Sequence, residues 1–372
     1  MFTWNRMKVL TVHAPCRTGG LARLFYNFCI KHPAMNIAWW IDEILFPLYH
    51  LARINQPVFI LGQPRSGTTK LLDFLASNEQ HVVALTLWEI SYPILWVQYV
   101  AEYFSQYDER FFHNRLRAFF DPLPSGLDEV SKMHPMNMDN WEEDDIAFMF
   151  HFSFSAAQYQ QYPSPECMNN FLNFRSLDKS LRTRLFDFHR KLIQKILYKR
   201  GNAQSIYMAK WVMCWTGEYE LIQEIYPDAR FVFIYRQPEE SIPSLVKLFS
   251  GISIHTTHYD PFTKPEFRSI MLSYFYRAHE EELQYITRLL NQKSHVQIIE
   301  FAKLFENIPE AISKICTKLN IPLPKDYQEF LHQQQANQVQ HKQTKVDESL
   351  KPEIQAHCST FYERLTYLQG KE

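Results

Sequence analysis

The stretch PVFILGQPRSGTTKLL, residues 57–72, carries the strongest structural signal in this 372-residue chain. The apolar run Val58–Leu61 predicts a short buried strand, a turn follows at Gly62, and a helical pattern begins after Gly67. A strand, a tight turn and a helix N-terminus form an anion site, because backbone N–H groups and the helix dipole both face the anion. The stretch therefore predicts a phosphate-binding loop.

The loop departs from those that bind nucleoside triphosphates. It fits the pattern G-x-x-x-x-G-x-[ST] at Gly62, Gly67 and Thr69, but Thr68 stands where ATPases and GTPases have a lysine. That lysine reaches the β- and γ-phosphates, so a nucleotide-dependent kinase is disfavoured. Arg65 offers a charged fork to an anion instead. A turn that holds serine and threonine by chance is the alternative interpretation.

The rest of the chain predicts an α/β fold. Residues 230–235 and 295–301 form further apolar runs, separated by long helical segments, as expected for buried parallel strands. We therefore expect a P-loop NTPase-like, mostly parallel sheet flanked by helices, with a long helical insertion at about 90–204. Residues 1–55 predict an N-terminal helical cap, and residues 56–372 predict a single domain.

Two further helices and one loop are predicted later in the chain. The apolar spacing of residues 176–200 predicts a helix that ends at Gly201. The glutamine-rich residues 332–345 predict an exposed loop, and residues 350–368 predict one final helix.

Composition limits the classes of partner and compartment. The net charge is −1, so the chain has no overall field for a polyanion, and nucleic acid is not an expected partner. Six scattered cysteines form no C-x-x-C pair, which indicates neither a zinc site nor a disulfide framework. We expect no secretory signal and a reducing, cytoplasmic location.

The N-terminal segment leaves two interpretations open. Asp42 and Glu43 interrupt the apolar residues 33–52, and Pro47 breaks them, so they predict an amphipathic helix and not a membrane span. Residues 1–57 carry six Lys or Arg against two acids, together with nine aromatic residues. Such a segment either caps the core or contacts an anionic membrane surface as a peripheral protein.

The phosphate loop resembles that of a known family. PRSGTT after an apolar strand is similar to the 5′-phosphosulfate loop of sulfotransferases that use 3′-phosphoadenosine 5′-phosphosulfate (PAPS). The likeness is to the P-loop-type group with LPRSGTT loops and many bacterial members, which has an arginine at the position of Arg65. The resemblance implies PAPS as co-substrate and no required metal.

Two later segments extend the resemblance. RFVFIYRQPEESIPSL resembles the second signature of the family, in which an arginine and a serine eight residues later hold the 3′-phosphate. The matching residues are Arg236 and Ser244, with Gln237 in place of the usual aspartate. Lys210 matches a family lysine near the sulfate, although Trp211 and the next residue replace the usual Ser-Pro. The implied nucleotide-binding residues are Arg65, Ser66, Gly67, Thr68, Thr69, Lys210, Arg236 and Ser244. A surface arginine, a helix serine and a salt-bridged surface lysine are the alternatives.

A hydroxyl acceptor needs a base, and Arg65 contributes charge but cannot accept a proton. In several sulfotransferases with an arginine in the loop, the base is a glutamate some twenty to thirty residues later. Glu89, 24 residues beyond Arg65, resembles it. Beside Trp88 and Tyr92 we expect its carboxyl to be desolvated and its pKa raised. The alternative is an acid in the first turn of a helix.

The segment HPMNMDNWEEDDIAF resembles a further family segment, H-P followed by E-E-D. The resemblance implies an acceptor site with His134, Glu143 and Asp144, and His134 is the second candidate for the base. The acids alternatively form the first turn of a helix or hold a metal ion. Lys342 and Lys345 resemble a basic loop that reaches the 3′-phosphate, with solvated lysines as the alternative.

The implied activity is transfer of a sulfuryl group from PAPS to a hydroxyl acceptor, with release of 3′,5′-ADP (PAP). Aromatic residues in the helices after the loop favour a small-molecule acceptor that is apolar or lipid-like, although a packed core explains them as well. A non-catalytic nucleotide-binding scaffold is the main alternative function.

Overall fold

One parallel sheet organises the fold. The computed structural model describes residues 30, 32–107, 137–152, 178–212, 218–257, 260–292, 295–337 and 350–369. Its strands are β1 (Val58–Leu61), β2 (Val82–Val83), β3 (Ile206–Trp211), β4 (Arg230–Tyr235) and β5 (Val296–Glu300), in the spatial order β2-β3-β1-β4-β5. All pairings are parallel, which confirms the predicted α/β class.

Helices surround this sheet. Before β3 they are α1 (His32–Leu45), a 3₁₀ helix (Pro47–Leu51), α2 (Thr68–Ala76), α3 (Leu87–Ser91), α4 (Leu95–Tyr107), α5 (Ile146–Phe152) and α6 (Lys179–Arg200). After β3 they are α7 (Glu218–Ile225), α8 (Pro238–Thr257), a 3₁₀ turn (Pro261–Thr263), α9 (Pro265–Asn291), α10 (Phe301–Glu306), α11 (Ile308–Lys318), α12 (Lys325–Ala336), α13 (Lys351–His357) and α14 (Ser359–Gln369).

The alternation of side chains along β1 divides the core into two layers. Phe59 and Leu61 belong to a buried cluster with α6 and α9, and Val58 and Ile60 belong to a second cluster with α2 and α11. All four β1 side chains are fully buried, as the continuous apolar run predicts for a central parallel strand.

The strand order positions a cleft. Leu61 of β1 is in register with Trp211 of β3 and Phe233 of β4, so the carboxyl ends of three strands meet at one edge. After β1 the chain passes towards β2 and β3, whereas after β4 it passes to β5 on the other side. Neighbouring strands whose connections diverge in this way leave a crevice at their carboxyl ends, where open α/β sheets bind ligands.

Two predictions about the C-terminal region are wrong in detail. Residues 332–336 belong to α12 and not to a loop. The side chain of Gln335 accepts a hydrogen bond of 2.7 Å from the backbone N–H of Ile308, which fixes the last turn of α12 against the start of α11. The final helix is interrupted at Cys358, which is buried with Phe361 in the core. Asn337 caps α12, and residues 338–345 of the predicted loop lie outside the described residues.

The predicted helix boundary at Gly201 is confirmed. The Gly201 N–H donates to the carbonyl of Leu197 at 2.9 Å and ends α6. A Cβ at this position would lie 2.6 Å from that carbonyl oxygen, so the close approach requires glycine.

The described part of the N-terminal segment is helical and packs on two later helices. Helix α1 contacts α4, and the 3₁₀ helix contacts α6. The domain boundary at residue 55 stays a prediction. Among the described helices, none combines the length and the apolar character needed to cross a bilayer.

Candidate active site

The phosphate loop turns tightly between β1 and α2. Its Ser66 N–H donates to the Gln63 carbonyl at 3.0 Å, and Gly67 precedes α2 with φ +99°. A Cβ on Gly62 would lie 2.4 Å from the Ile234 carbonyl oxygen of β4, and one on Gly67 would lie 2.2 Å from the ring of Phe301. At both positions a neighbouring group comes too close for a side chain, so glycine is required. At Gly67 the positive φ is a second reason for glycine.

Arg65 connects the loop to the second signature. Its Nε donates a hydrogen bond of 3.0 Å to the Oγ of Ser244 on α8, although the two residues are 179 positions apart. Arg65 has φ +72°, a conformation that is unusual for a residue with a side chain. The structure thus brings together two residues that the sequence assigned to one nucleotide.

A second guanidinium faces the first. Burial, and then the neighbouring charge of Arg236, lower the pKa of Arg65. Arg236 lies directly after β4, its Nε donates to Glu240 at 2.6 Å, and its guanidinium lies 5.0 Å from the centre of the Phe301 ring. Two like charges held together at the end of a parallel sheet favour an anion between them.

Lys210 reaches the same loop from β3. It is fully buried, and its Nζ lies 3.0 Å from both the Thr69 hydroxyl and a carboxylate oxygen of Glu143, with Glu142 at 3.7 Å. Burial alone would lower the pKa of Lys210, but the two carboxylates raise it above its ordinary value, so the ammonium stays charged. The alternative of a surface lysine is therefore wrong.

The acidic segment crosses the carboxyl ends of β2 and β3. The Glu142 N–H donates to the Leu85 carbonyl and the Asp144 N–H to the Lys210 carbonyl, both at 3.0 Å. This backbone path directs the Glu143 carboxylate to Lys210. The acids also lead into α5, which begins at Ile146, so the helix-start interpretation holds at the same time.

Asp144 forms its contacts with buried residues of the core. Its carboxylate is fully buried, accepts from the Tyr207 hydroxyl and lies 2.8 Å from Nε2 of His189, whose other ring nitrogen is 3.0 Å from the Tyr226 hydroxyl. The prediction that Asp144 contacts the acceptor is not supported by these partners.

Glu89 has a different environment from the one expected. It forms a capping box with Thr86 at the start of α3, and both carboxylate oxygens accept hydrogen bonds of 3.0 Å from Arg200. Trp88 and Tyr92 pack on each other, with ring centres 4.6 Å apart. The carboxyl is buried, as expected, but its environment is not apolar, because it is paired with the charge of Arg200, the last residue of α6. Glu89 therefore has the contacts of an acid in the first turn of a helix, which was the alternative interpretation.

Sequence reasoning missed a buried carboxyl behind the loop. Glu282 of α9 accepts hydrogen bonds from Gln63 Nε2 at 3.0 Å and from the Tyr219 hydroxyl at 2.9 Å. Burial raises the pKa of Glu282 to about 8, although both hydrogen bonds lower it. A signal was present in the sequence, since an acid at position 282 falls within the apolar spacing Phe275, Ala278, Ile286 and Leu289.

The loop residues fit an anionic group. The Ser66 hydroxyl is 1% exposed and has no hydrogen-bond partner among the described residues, which fits a hydroxyl that donates to a phosphate. Across the ranges that the structure describes, no group of three or more His, Cys, Asp or Glu residues is placed to hold a metal ion. His134, Lys342 and Lys345 lie outside these ranges.

Comparisons with known proteins identify the family and agree with the fold. Residues 57–325 match a family model described as the sulfotransferase family. The fold is similar to that of sulfotransferase STF1 from Mycobacterium tuberculosis H37Rv, with a TM-score of 0.64, 16% identity, and coverage of 94% of this chain and 89% of that one. The fold is also similar to that of sulfotransferase STF9 from Mycobacterium avium, with a TM-score of 0.63, 14% identity, and coverage of 88% of this chain and 81% of that one. Comparison with curated protein sequences returns no match.

Proposed function

Because the chain belongs to the sulfotransferase family, we propose that it transfers a sulfuryl group from PAPS to a hydroxyl acceptor and releases PAP. The hydrogen bond between Arg65 and Ser244 carries this proposal. It joins the phosphate loop to the helix after Arg236, so that one nucleotide with phosphates at both ends would contact both segments. Thr68 stands where ATPases and GTPases have a lysine, which argues against the kinase alternative.

The donor would be held by residues of the loop and of β3 and β4. Ser66, Thr68 and Thr69 would donate to the 5′-phosphosulfate together with the N-terminus of α2, and Arg236 and Ser244 would hold the 3′-phosphate. Bound PAPS supplies a sulfuryl group with a phosphate as its leaving group. Arg65 and Lys210 would stabilise the negative charge of that phosphate.

Two carboxylates are candidates for the base that accepts the hydroxyl proton. Glu89 is the residue that the sequence predicts, but its oxygens already bind Arg200 and Thr86. Glu143 contacts the Lys210 ammonium, which in turn contacts Thr69 of the loop. These contacts support Glu143 as the base, with Lys210 as the group that positions it.

Titration with PAP tests the nucleotide site. The wild-type protein should bind PAP without magnesium and should not bind ATP measurably. Arg236→Ala should weaken PAP binding by about 2 kcal/mol, close to thirtyfold. Arg288→Ala, an exposed arginine of α9, is the matched control and should leave the affinity unchanged. Equal PAP affinity of Arg236→Ala and wild type would remove the 3′-phosphate assignment.

Paired substitutions separate the two candidate bases. Glu143→Gln should leave PAP affinity within about threefold and reduce turnover about 10²-fold or more. Glu89→Gln should chiefly lower the thermal midpoint, because it breaks the pair with Arg200. If Glu89→Gln abolishes turnover in a protein of unchanged stability and Glu143→Gln does not, the assignment is reversed.

The acceptor is proposed to be apolar or lipid-like. The aromatic residues of α3 and α4, the helices that follow β2 in the chain, support this class. Labelled sulfate from PAPS should appear in lipid extracts and not in sugars; transfer to sugars alone would refute it. PAP binding without turnover on any acceptor would instead favour the scaffold alternative. The scattered cysteines support a cytoplasmic location.

A further inference from the structure

A strip of large apolar side chains is exposed on α1 and the 3₁₀ helix after it. Its members recur every three or four residues and so share one side of the helix. They are Ile37, Trp40, Ile41, Ile44, Leu45, Leu48 and Leu51, with exposures from 36% to 74%. Monomeric proteins rarely expose contiguous apolar patches of this kind without a partner.

A second row on α4 extends the strip. Its exposed members are Tyr99, Val100, Tyr103, Phe104 and Tyr107. The two rows are neighbours, since the Phe46 ring lies 5.5 Å from that of Tyr99 and Trp96 donates to the Ala38 carbonyl at 3.1 Å. We call the strip and this row together the apolar face. Tyrosine and tryptophan side chains, with one apolar and one polar end, favour the boundary between lipid and water.

Helix α1 is anchored so that its acids turn away from the apolar face. The fully buried carboxylate of Asp42 pairs with Lys195 at 2.8 Å and accepts from the N–H groups of Leu95 and Trp96. Glu43 accepts from Trp39, Tyr49 and His50. The only two acids of residues 1–57 are therefore paired within the protein, Glu43 also with Lys191 at 3.8 Å. The acid of α4, Glu102, is 55% exposed and pairs with Lys199.

The chain before α1 carries the complementary charge. Residues 1–31 contain five Lys or Arg and neither Asp nor Glu. A cationic segment that precedes an aromatic, apolar face in the sequence matches an anionic bilayer, for which electrostatic attraction and apolar burial add. At 14 residues, α1 is about 21 Å long, too short for a hydrocarbon core of about 30 Å.

We propose that the apolar face docks on the surface of an anionic lipid bilayer, with α1 parallel to the membrane plane. A second copy of the chain would bring its own cationic segment to the contact, and the like charges would repel. The docking is independent of the proposed function.

Vesicle co-sedimentation of the full chain tests the proposal. The vesicles are pure phosphatidylcholine or a 3:1 mixture with phosphatidylserine. The test variant is Trp40→Ser with Leu48→Ser, at side chains 71% and 60% exposed, and the control is Ile254→Ser, at a side chain 47% exposed on α8. Wild type and control should bind the anionic vesicles, more weakly at high salt, and the test variant should bind at least about tenfold more weakly.

Three outcomes would overturn the proposal. They are absence of binding by the wild type to anionic vesicles, equal binding by the test variant, and a wild-type dimer in light scattering that the test variant loses. The last result would assign the face to a second copy. PAP affinity, measured in parallel, should be the same in all three proteins, so failure of docking and failure of the nucleotide site remain distinguishable.

Discussion

Replacing Glu282 with glutamine probes a buried carboxyl directly behind the phosphate loop. Its side chain is 1% exposed and accepts hydrogen bonds from Gln63 and Tyr219. Glutamine has nearly the same shape and retains an oxygen that can accept one of these bonds, but it never ionises. The substitution therefore removes the ionisable group at position 282 and changes the packing little.

The pKa of Glu282 sets the sign and the size of the effect. Burial raises it from its ordinary 4.5 to about 8, so the folded protein keeps a proton that the unfolded chain releases. Stability linked to this group is full below pH 4.5 and falls as the pH rises to about 8. The interval of 3.5 pH units corresponds to about 5 kcal/mol, of which about 3 kcal/mol fall between pH 5.5 and 8.5.

Urea unfolding at these two pH values measures the effect. The free energy of unfolding of Glu282→Gln should exceed that of wild type by about 3 kcal/mol more at pH 8.5 than at pH 5.5. Glu281→Gln, a partly exposed neighbour paired with Arg277, is the control and should give a constant difference. A gap between Glu282→Gln and wild type that does not widen with pH would refute the reasoning.

Three further substitutions test the loop, the N-terminal anchor and the core. Gly67→Ala places a Cβ on the Phe301 ring at φ +99°, and should cost about 2 kcal/mol or more of stability and weaken PAP binding; an unchanged thermal midpoint and affinity would contradict this. Asp42→Asn leaves the buried Lys195 ammonium without its anion and should cost about 3–5 kcal/mol in urea unfolding. Adding Lys195→Met should restore most of that loss, and a single variant as stable as wild type would show that the pair is not buried. Burial lowers the pKa of His279 to about 4 from 6.5, so wild type should lose up to about 3 kcal/mol as the pH falls through this range, and His279→Gln should lose less; parallel acid-unfolding curves would disprove the assignment.

The fold could be predicted because its signals are local. The apolar runs of β1 and β4 stand out from their neighbours, and the glycine after α6 marks a helix end. The continuation of α12 to residue 336 could not be predicted, since it depends on the contact of Gln335 with Ile308, 27 positions earlier. Polar composition alone gave the wrong result there.

The candidate site divides in the same way. Arg65, Arg236 and Ser244 follow from short motifs that keep their spacing, and the structure brings them to one crevice. The partner of Glu89 could not be predicted, because Arg200 lies 111 residues away at the end of another helix. The Thr86–Glu89 capping box, by contrast, is a local pattern that the sequence already contained.

The backbone of Arg65 has a consequence for how this loop can vary. At φ +72° a residue with a side chain is strained, and glycine is the residue that tolerates the conformation best. Selection for stability alone would favour glycine at position 65, and selection for the guanidinium favours arginine. Arg65→Gly should therefore yield a protein that folds at least as well as wild type and binds PAP poorly, which makes this position a place where activity and stability are in direct opposition.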